Sequence, residues 1–282
     1  MPTEMTLVFD EIGYWSEIKL DIVGKYALQY SIILASRKNP EFHHVYIDAF
    51  AGSGIHISRT TRGPVKGSPQ IALDINPPFK EYFFIDINDD KVSELNKIVA
   101  NRPEAHVLKG DCNSKLITEV FPRVRFEDYH RGLCLLDPYG LDLNWEVIKT
   151  AGQMKSIDIF LNFPVMDMNR NVLWKDPSGV DEAAILRMNT FWGDESWSKV
   201  AYRPTLNLFG EVVGIKEDNR TIALAFKKRL KEVAGFKYVS KPMPMRNSKG
   251  ATIYYLFFAS QQKVADNIIG DIFNKYQQWG IK

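Results

Sequence analysis

The residues best suited to chemistry are glycines and carboxylates that follow two apolar stretches of the chain. Residues 46–54 read as a buried strand that ends at Asp48 and continues into a turn containing Gly52 and Gly54. Residues 81–86 read as a second buried strand, which ends in another carboxylate. At the strand ends of a parallel α/β sheet, glycines let the backbone approach a ligand, and a carboxylate accepts hydrogen bonds from ribose hydroxyls. The pattern therefore predicts a site for a nucleoside-containing cofactor.

Apolar periodicity indicates which elements must position these residues. Short apolar runs alternate with helical patterns, and this alternation favours right-handed crossovers and a parallel sheet. An amphipathic helix is predicted over 15–37, and two later helices have capping residues, at Asn88 and at either Asp218 or Asn219. The predicted parallel strands cover 43–50, 81–86, 105–108, 132–136 and 157–163.

The C-terminal pattern indicates how the sheet ends and which cofactor it suits. Residues 237–243 and 252–260 flank a turn at 246–250, which is typical of an antiparallel hairpin. A mostly parallel sheet that finishes in such a hairpin resembles the class I S-adenosylmethionine-dependent methyltransferase fold, a Rossmann-like α/β architecture. Dinucleotide-binding domains finish on parallel strands and carry a third glycine that opens the helix directly. Here a long loop follows Gly54 before the helix predicted at Ser68, so S-adenosyl-L-methionine is the favoured cofactor.

Four short motifs match the methyltransferase pattern in order, each at the carboxyl end of a predicted strand. The glycine turn resembles the first motif, whose backbone faces the methionine moiety, and the aspartate ending the second strand matches the ribose-binding position. Gly110-Asp111-Cys112 resembles the motif whose aspartate binds the adenine amino group. The resemblance implies cofactor contacts from Asp48, Phe50, Gly52, Gly54, Asp86 and Asp111.

The fourth motif predicts the chemistry of transfer. Asp137-Pro138-Tyr139 resembles the Asp/Asn-Pro-Pro-aromatic motif of amino-methyltransferases. Methylation of an exocyclic amine requires a lone pair aligned on the methyl carbon, with the reacting atoms about 3 Å apart. By this resemblance Asp137 accepts one amine hydrogen, the Pro138 carbonyl accepts the other, and Tyr139 stacks on a flipped base. One proline of the motif is missing and Gly140 follows the tyrosine, which bears on the amine assignment more than on the cofactor.

A closer resemblance rests on seven strings spread over nearly the whole chain, 15–20, 46–54, 67–69, 136–141, 162–164, 245–250 and 254–260. Together these strings resemble the three-Cys-motif partner protein family. This resemblance implies a methyltransferase-like fold, no assigned substrate and association with a separate cysteine-motif protein, which would be a partner of this chain.

Two regions are candidates for substrate contact, each with an alternative. Arg59, Arg62 and Lys66 lie in a basic loop beside the glycine turn, where they could meet phosphates or remain solvated. The segment 165–217 interrupts the strand–helix rhythm and is interpreted as a helical insertion within a single domain, 1–282. Its aromatic residues could form a base-stacking platform or attach the insertion to the core; they are Trp174, Trp192 and Trp197.

Composition sets the outer bounds. The chain has 282 residues, 45% of them apolar, and a formal net charge of +2, so no overall basic field demands a polyanion. Cys112 and Cys134 are interpreted as core residues, no metal site is predicted, and a cytoplasmic protein without a membrane segment is expected. The favoured function is methylation of nucleic acid. The alternatives are a small-molecule or protein methyltransferase, and a methyltransferase-like partner of a cysteine-motif protein.

Overall fold

The computed structural model describes residues 10–206, 212–247 and 249–279; residue 248 of the predicted turn and parts of the predicted domain, 1–9 and 207–211, lie outside them. The strands are β1 (Glu11–Ile12), β2 (His43–Asp48), β3 (Ile55–Ser58), β4 (Pro64–Lys66), β5 (Glu81–Asp86), β6 (Ala105–Lys109), β7 (His130–Leu136), β8 (Ile157–Phe163), β9 (Tyr202–Leu206), β10 (Val212–Lys216), β11 (Tyr238–Val239), β12 (Met243–Arg246) and β13 (Thr252–Ser260). The helices are α1 (Tyr14–Ala35), α2 (Ser68–Leu73), α3 (Asp89–Ile98), α4 (Cys112–Lys115), α5 (Trp145–Met154), α6 (Val165–Asn171), α7 (Glu182–Trp192), α8 (Trp197–Ala201), α9 (Asn219–Glu232) and α10 (Lys263–Trp279).

One central sheet organises these elements. Its strands run in the order β6-β5-β2-β7-β8-β13, and both β11 and β12 pair with the far side of β13. The first five are parallel, whereas β13 is antiparallel to β8 and to both of its outer neighbours. This is the predicted α/β class: a mostly parallel, Rossmann-like methyltransferase sheet with an antiparallel C-terminal hairpin. The prediction of fold class is confirmed.

Both faces of the sheet are covered, which explains its nearly continuous apolar strands. Every residue of β8 is buried, as expected for a strand with helices on both sides. One core packs the sheet against α5, α7 and α9, with Phe226 at its centre. The other packs it against α1, α2 and α10, with Tyr26 between Phe160 and Phe258. Within the described ranges, no helix is long and apolar enough to cross a bilayer.

Local signals set several helix ends where they were predicted. The Asn88 side chain accepts hydrogen bonds from the backbone N–H of Asp90 and Lys91, at 3.0 and 3.1 Å. The Asp218 carboxylate accepts one from the N–H of Thr221 at 2.7 Å. These caps satisfy backbone donors that have no partner within the helix. Helix α1 begins one residue before the predicted start and ends two residues before the predicted end.

Two parts of the prediction differ from the structure. The predicted long loop after Gly54 is instead a hairpin of β3 and β4, whose first strand also pairs with β1. The insertion is not wholly helical, because β9 and β10 form a two-stranded antiparallel sheet after α8. Both hairpins consist of strands of three to five residues with polar positions. Such short strands lack the apolar run on which a prediction from periodicity depends.

Candidate active site

The carboxyl ends of the parallel strands bring the predicted site residues to one edge of the sheet. Asp48 ends β2 and Asp86 ends β5, while Asp137 directly follows β7. Asn162 is the penultimate residue of β8 and pairs with Leu256 of β13. Adjacent parallel strands end at the same edge, and ligands of open α/β sheets bind in the crevice outside that edge.

The glycine turn and the carboxylate that follows β5 form one hydrogen-bonded unit. The N–H of Gly52 donates to Asp86 Oδ2 at 2.9 Å, and the N–H of Asn88 donates to Oδ1 at 2.9 Å. Each carboxylate oxygen retains acceptor capacity, because it carries two lone pairs. Gly54 has φ +81°, and a Cβ there would lie 2.7 Å from Ile98 Cδ1. The turn therefore requires glycine, and Asp86 can still accept ligand hydroxyls.

Asp48 is a buried carboxylate with an unsatisfied oxygen. Its Oδ1 accepts the N–H of Phe50 at 3.3 Å, whereas Oδ2 makes no hydrogen bond of good geometry among the described residues. Burial raises the pKa of Asp48 to about 7, although the nearby Ser68 hydroxyl and the Phe50 N–H favour the charged form. Phe50 packs against the adjacent core. A buried acceptor without a donor is costly, and a bound ligand with an N–H or positive charge would satisfy it.

Asp111 has a structural role of its own. Its Oδ2 accepts the N–H of Ser114 at 3.0 Å and its Oδ1 accepts Asn113 Nδ2 at 3.0 Å, so it caps α4. Asn113 also donates to the Asp142 carbonyl at 2.9 Å, which ties the loop after β6 to the loop after β7. The predicted contact between Asp111 and a cofactor remains a prediction.

Lys19 is a site residue that sequence reasoning did not identify as functional. Its ammonium group forms an ion pair with Asp137 Oδ2, and its side chain is only 9% exposed. It also lies over the Tyr254 ring, 5.4 Å from the centroid. Burial lowers the pKa of Lys19, but the charge of Asp137, the nearby Tyr254 and the hydrogen bond to Asp137 together raise it above its ordinary value. In the sequence, the one pattern that could have indicated Lys19 is its position between the apolar residues Ile18 and Leu20 of α1.

Both predicted amine acceptors already have protein donors. Asp137 receives Lys19, and the Pro138 carbonyl accepts Asn162 Nδ2 at 3.1 Å. The neighbouring Asn162 Oδ1 and Tyr254 hydroxyl are buried and make no hydrogen bond within the described part of the chain. Both side chains line a small cavity of about 80 Å³. The unsatisfied acceptor next to the fourth motif is therefore Asn162 Oδ1.

Tyr139 and Gly140, which depart from the double-proline motif, have different environments. Tyr139 is 78% exposed, so much of its ring surface is available for stacking. Lys91 Nζ lies over the ring, 5.8 Å from its centroid. At Gly140 a Cβ would lie 2.8 Å from Asp167 Oδ2, and this same oxygen accepts the N–H of Leu141 at 3.1 Å. The departure from the double-proline motif thus lets the carboxylate of Asp167 approach the backbone.

The three predicted substrate cations are exposed and paired. Arg59 and Arg62 lie 3.5 and 3.0 Å from the Glu11 carboxylate, and Lys66 lies 2.6 Å from Asp74. Exposed pairs of this kind stabilise a protein by about 0–1 kcal/mol, so phosphates could replace these partners. Contact with a substrate stays a prediction.

The tryptophans of the insertion divide into two groups. Trp192 and Trp197 are buried, and their indole N–H groups donate to Ser196 at 2.9 Å and Asn189 at 2.6 Å. These two attach the insertion to the core, as the alternative interpretation had it. Trp174 is partly exposed and donates to the Arg170 carbonyl at 2.8 Å, so it is the member that could stack on a ligand.

Comparisons with known proteins return structural similarity alone. No protein-family model matches the chain, and no curated protein matches it significantly. A solved Legionella pneumophila protein of family model DUF519 is 13% identical, covers 76% of this chain and 92% of its own, and has a TM-score of 0.40. Trm5b from Pyrococcus abyssi is 14% identical over 83% of this chain and 48% of its own, with a TM-score of 0.36. The O-methyltransferase NcsB1 of neocarzinostatin biosynthesis, solved with S-adenosylmethionine, is 11% identical over 88% and 61%, with a TM-score of 0.35. These values are too low to indicate activity, and the fold class rests on the strand order described above.

Proposed function

We propose that this protein is an S-adenosylmethionine-dependent methyltransferase that acts on nucleic acid, at the amino group of a base. The observation that carries the proposal is the hydrogen-bonded unit of Gly52 and Asp86 at the carboxyl edge of the sheet. A glycine turn fixed to a half-buried carboxylate provides the close backbone approach and the ribose acceptor that a nucleoside cofactor needs. The unsatisfied Asp48 lies at the end of the neighbouring strand.

The cofactor half of the site is supplied by β2, β5 and the loops that follow them. Asp86 would accept the ribose hydroxyls, and the backbone of 52–54 would lie against the methionine moiety. Asp48 would accept a hydrogen bond within the same crevice, which relieves its unsatisfied oxygen. When bound, S-adenosylmethionine supplies an activated methyl group on a sulfonium, which is a good leaving group.

The acceptor half of the site is supplied by β7, β8 and β13. Asn162 Oδ1 would accept one hydrogen of a base amino group, since it is buried without a donor. Asp137 would accept another through the oxygen that Lys19 does not engage. The exposed ring of Tyr139 would stack on the base. Two acceptors oriented on one amine would align its lone pair for transfer.

Calorimetry with S-adenosylmethionine tests the cofactor half. The wild-type protein should bind it, and Asp86→Ala should lose about tenfold or more in affinity, because a hydrogen bond to a charged group contributes roughly 1.5–3 kcal/mol. Asp128→Ala, at an exposed carboxylate paired only with Arg125 at 3.6 Å, is the matched control and should bind normally. Absence of wild-type binding at millimolar ligand would refute the proposal.

A mass-spectrometric nucleoside assay on treated RNA and DNA tests the acceptor half. Appearance of a base methylated at its amino group supports the proposal. Methylation confined to small molecules or proteins would show that nucleic acid is not the substrate.

A non-catalytic partner protein is the second candidate. The ion pair of Lys19 with Asp137 favours it, because this pair engages the predicted catalytic carboxylate. On this hypothesis the chain would bind a cysteine-motif protein and remain inactive on every nucleic acid tested. Tight binding of that protein by a chain that transfers no methyl group would select this alternative.

A further inference from the structure

A second cavity lies at the opposite end of the central sheet. It has a volume of about 410 Å³ and is bounded by α1, the start of α10 and the loops that precede β2, β7 and β8. The volume is in the range of small-molecule sites, which combine apolar walls with a few convergent polar groups. The methyl-transfer residues end the same strands at the other edge, so the two sites are separate.

The polar floor of this cavity is formed by neighbouring strands. Leu133 of β7 is in register with Asp158 of β8, so Arg131, two residues earlier, lies on the same face as Asp158. Asp158 is 8% exposed; the Tyr26 hydroxyl donates to its Oδ2 at 3.2 Å, and the Ser260 hydroxyl and the Gln261 N–H also favour its charged form. Burial raises the pKa of Asp158 to about 6. An N–H donor on a ligand would favour this carboxylate in its charged form.

The walls are flat and aromatic. The Arg131 guanidinium lies 4.0 Å from the Phe126 ring centroid and 4.9 Å from that of Phe42. One of its nitrogens is held by the carbonyls of Phe126 and His130, at 3.2 and 2.6 Å. Tyr30 lines the same cavity. The guanidinium is thus packed against both phenyl rings, and the flat aromatic wall suits a planar heterocycle.

Positive charge predominates among the described residues that line this cavity. Arg37 and Lys155 line the cavity and are exposed, and neither takes part in an ion pair within the described part of the chain. With Arg131 the cavity has three cations against the single carboxylate of Asp158. A ligand that places a heterocycle on the floor and an anionic group at the rim would match this distribution.

We infer that this cavity binds a nucleoside monophosphate, with the base against the aromatic wall of Tyr30, Phe42 and Phe126 and the phosphate at Arg37 and Lys155. A base amino group would donate to Asp158. The inference is independent of the proposed methyl transfer, because it involves none of the residues at the carboxyl edge.

Calorimetric titration with cytidine monophosphate, cytidine and inorganic phosphate tests this inference, since cytosine carries the required amino group and differs from the adenine of the cofactor. Cytidine monophosphate should bind with a Kd of about 1 mM or lower, and more tightly than cytidine. The double variant Arg37→Gln, Lys155→Asn should lose about tenfold in affinity for the monophosphate and leave cytidine unchanged. Asn is chosen because residue 155 has φ 61°, which asparagine tolerates.

A variant that fills the mouth of the cavity provides the decisive control. Val264 is 52% exposed at the rim, so Val264→Trp should block both cytidine and cytidine monophosphate without disturbing the core. Leu224→Trp, at a residue 44% exposed on α9, should bind normally. Binding should also persist in Asp86→Ala, which separates this site from the cofactor site. Binding that survives Val264→Trp, equal affinities for cytidine and its monophosphate, or no binding at all would overturn the inference.

Discussion

The two halves of the carboxyl edge contain similar residue types in different states. In the cofactor half, Asp86 is held by two backbone N–H groups and keeps lone pairs for a ligand, while Asp48 has an oxygen with no donor. In the acceptor half, Asp137 is neutralised by Lys19, and the Pro138 carbonyl is engaged by Asn162. One half is arranged to receive a ligand directly, whereas the other must first share or exchange its existing partners.

The contrast between the two halves shows that a motif specifies residue types and does not specify their hydrogen bonds. A buried ion pair gains little net stability, because desolvation of both charges offsets their attraction. Keeping Lys19 beside Asp137 therefore points to a role in positioning the carboxylate. Four experiments distinguish the roles of the two halves.

Asp137→Ala should abolish transfer, with a loss of about 10³-fold or more, or roughly 4 kcal/mol, while cofactor affinity changes little. The reason is that Asp137 would contact the target group and not the cofactor. Single-turnover rates and calorimetry measure the two quantities separately. Asp137→Asn is the matched control, because it retains an acceptor oxygen. If Asp137→Ala kept full turnover and Asn162→Ala lost it, Asn162 would be the principal acceptor.

Lys19→Met should lower the free energy of unfolding by about 3 kcal/mol, because it leaves the partly buried Asp137 without its partner. Urea denaturation with an unchanged m-value measures this effect. The double variant Lys19→Met, Asp137→Asn should recover much of the loss, since it removes both charges. Equal instability of the single and double variants would show that Lys19 acts through packing alone.

Asp48→Asn should change how stability depends on pH. Burial raises the pKa of Asp48 from 3.8 to about 7, so the folded state binds its proton more tightly than the unfolded state. Asp48 therefore lowers stability as pH rises from about 4 to 7, and Asp48→Asn should be more stable than wild type above pH 7, with a difference that shrinks as pH falls towards 4. Denaturation of both proteins across this range gives the difference. Asp74→Asn, at an exposed carboxylate, should show none.

Neutralising Arg59, Arg62 and Lys66 together should have the smallest effect. If these cations contact phosphates, the slope of log K against log salt should fall by up to about 0.9 per contact on duplex DNA, or about 0.7 on single strands. Their existing partners, Glu11 and Asp74, reduce the expected change.

A matched control neutralises three exposed, paired cations elsewhere, Lys97, Arg125 and Lys228. Equal salt slopes in the two triple variants would show that the cations of the β3–β4 hairpin do not contact phosphates and are simply solvated.

Much of the site could be predicted because it depends on strand ends. The apolar runs located β2, β5, β6, β7 and β8 within a few residues, and parallel pairing then brought their carboxyl ends together. The hairpin of β3 and β4 and the strands β9 and β10 were missed, since strands of three to five residues are too short to show a clear period and depend on their pairing partners.

The sequence alone predicts the order of the main parallel strands, the reversed final strand and the positions of Asp48, Asp86 and Asp137 at one edge. Period and chain direction fix these features locally. Only the tertiary structure decided that Lys19 neutralises Asp137, that Asn162 engages Pro138 and that Asp48 keeps an unsatisfied oxygen. These contacts join residues that are far apart in the chain, and their protonation and hydrogen bonding depend on burial. Burial is a property of the packed molecule that no local pattern of residues contains.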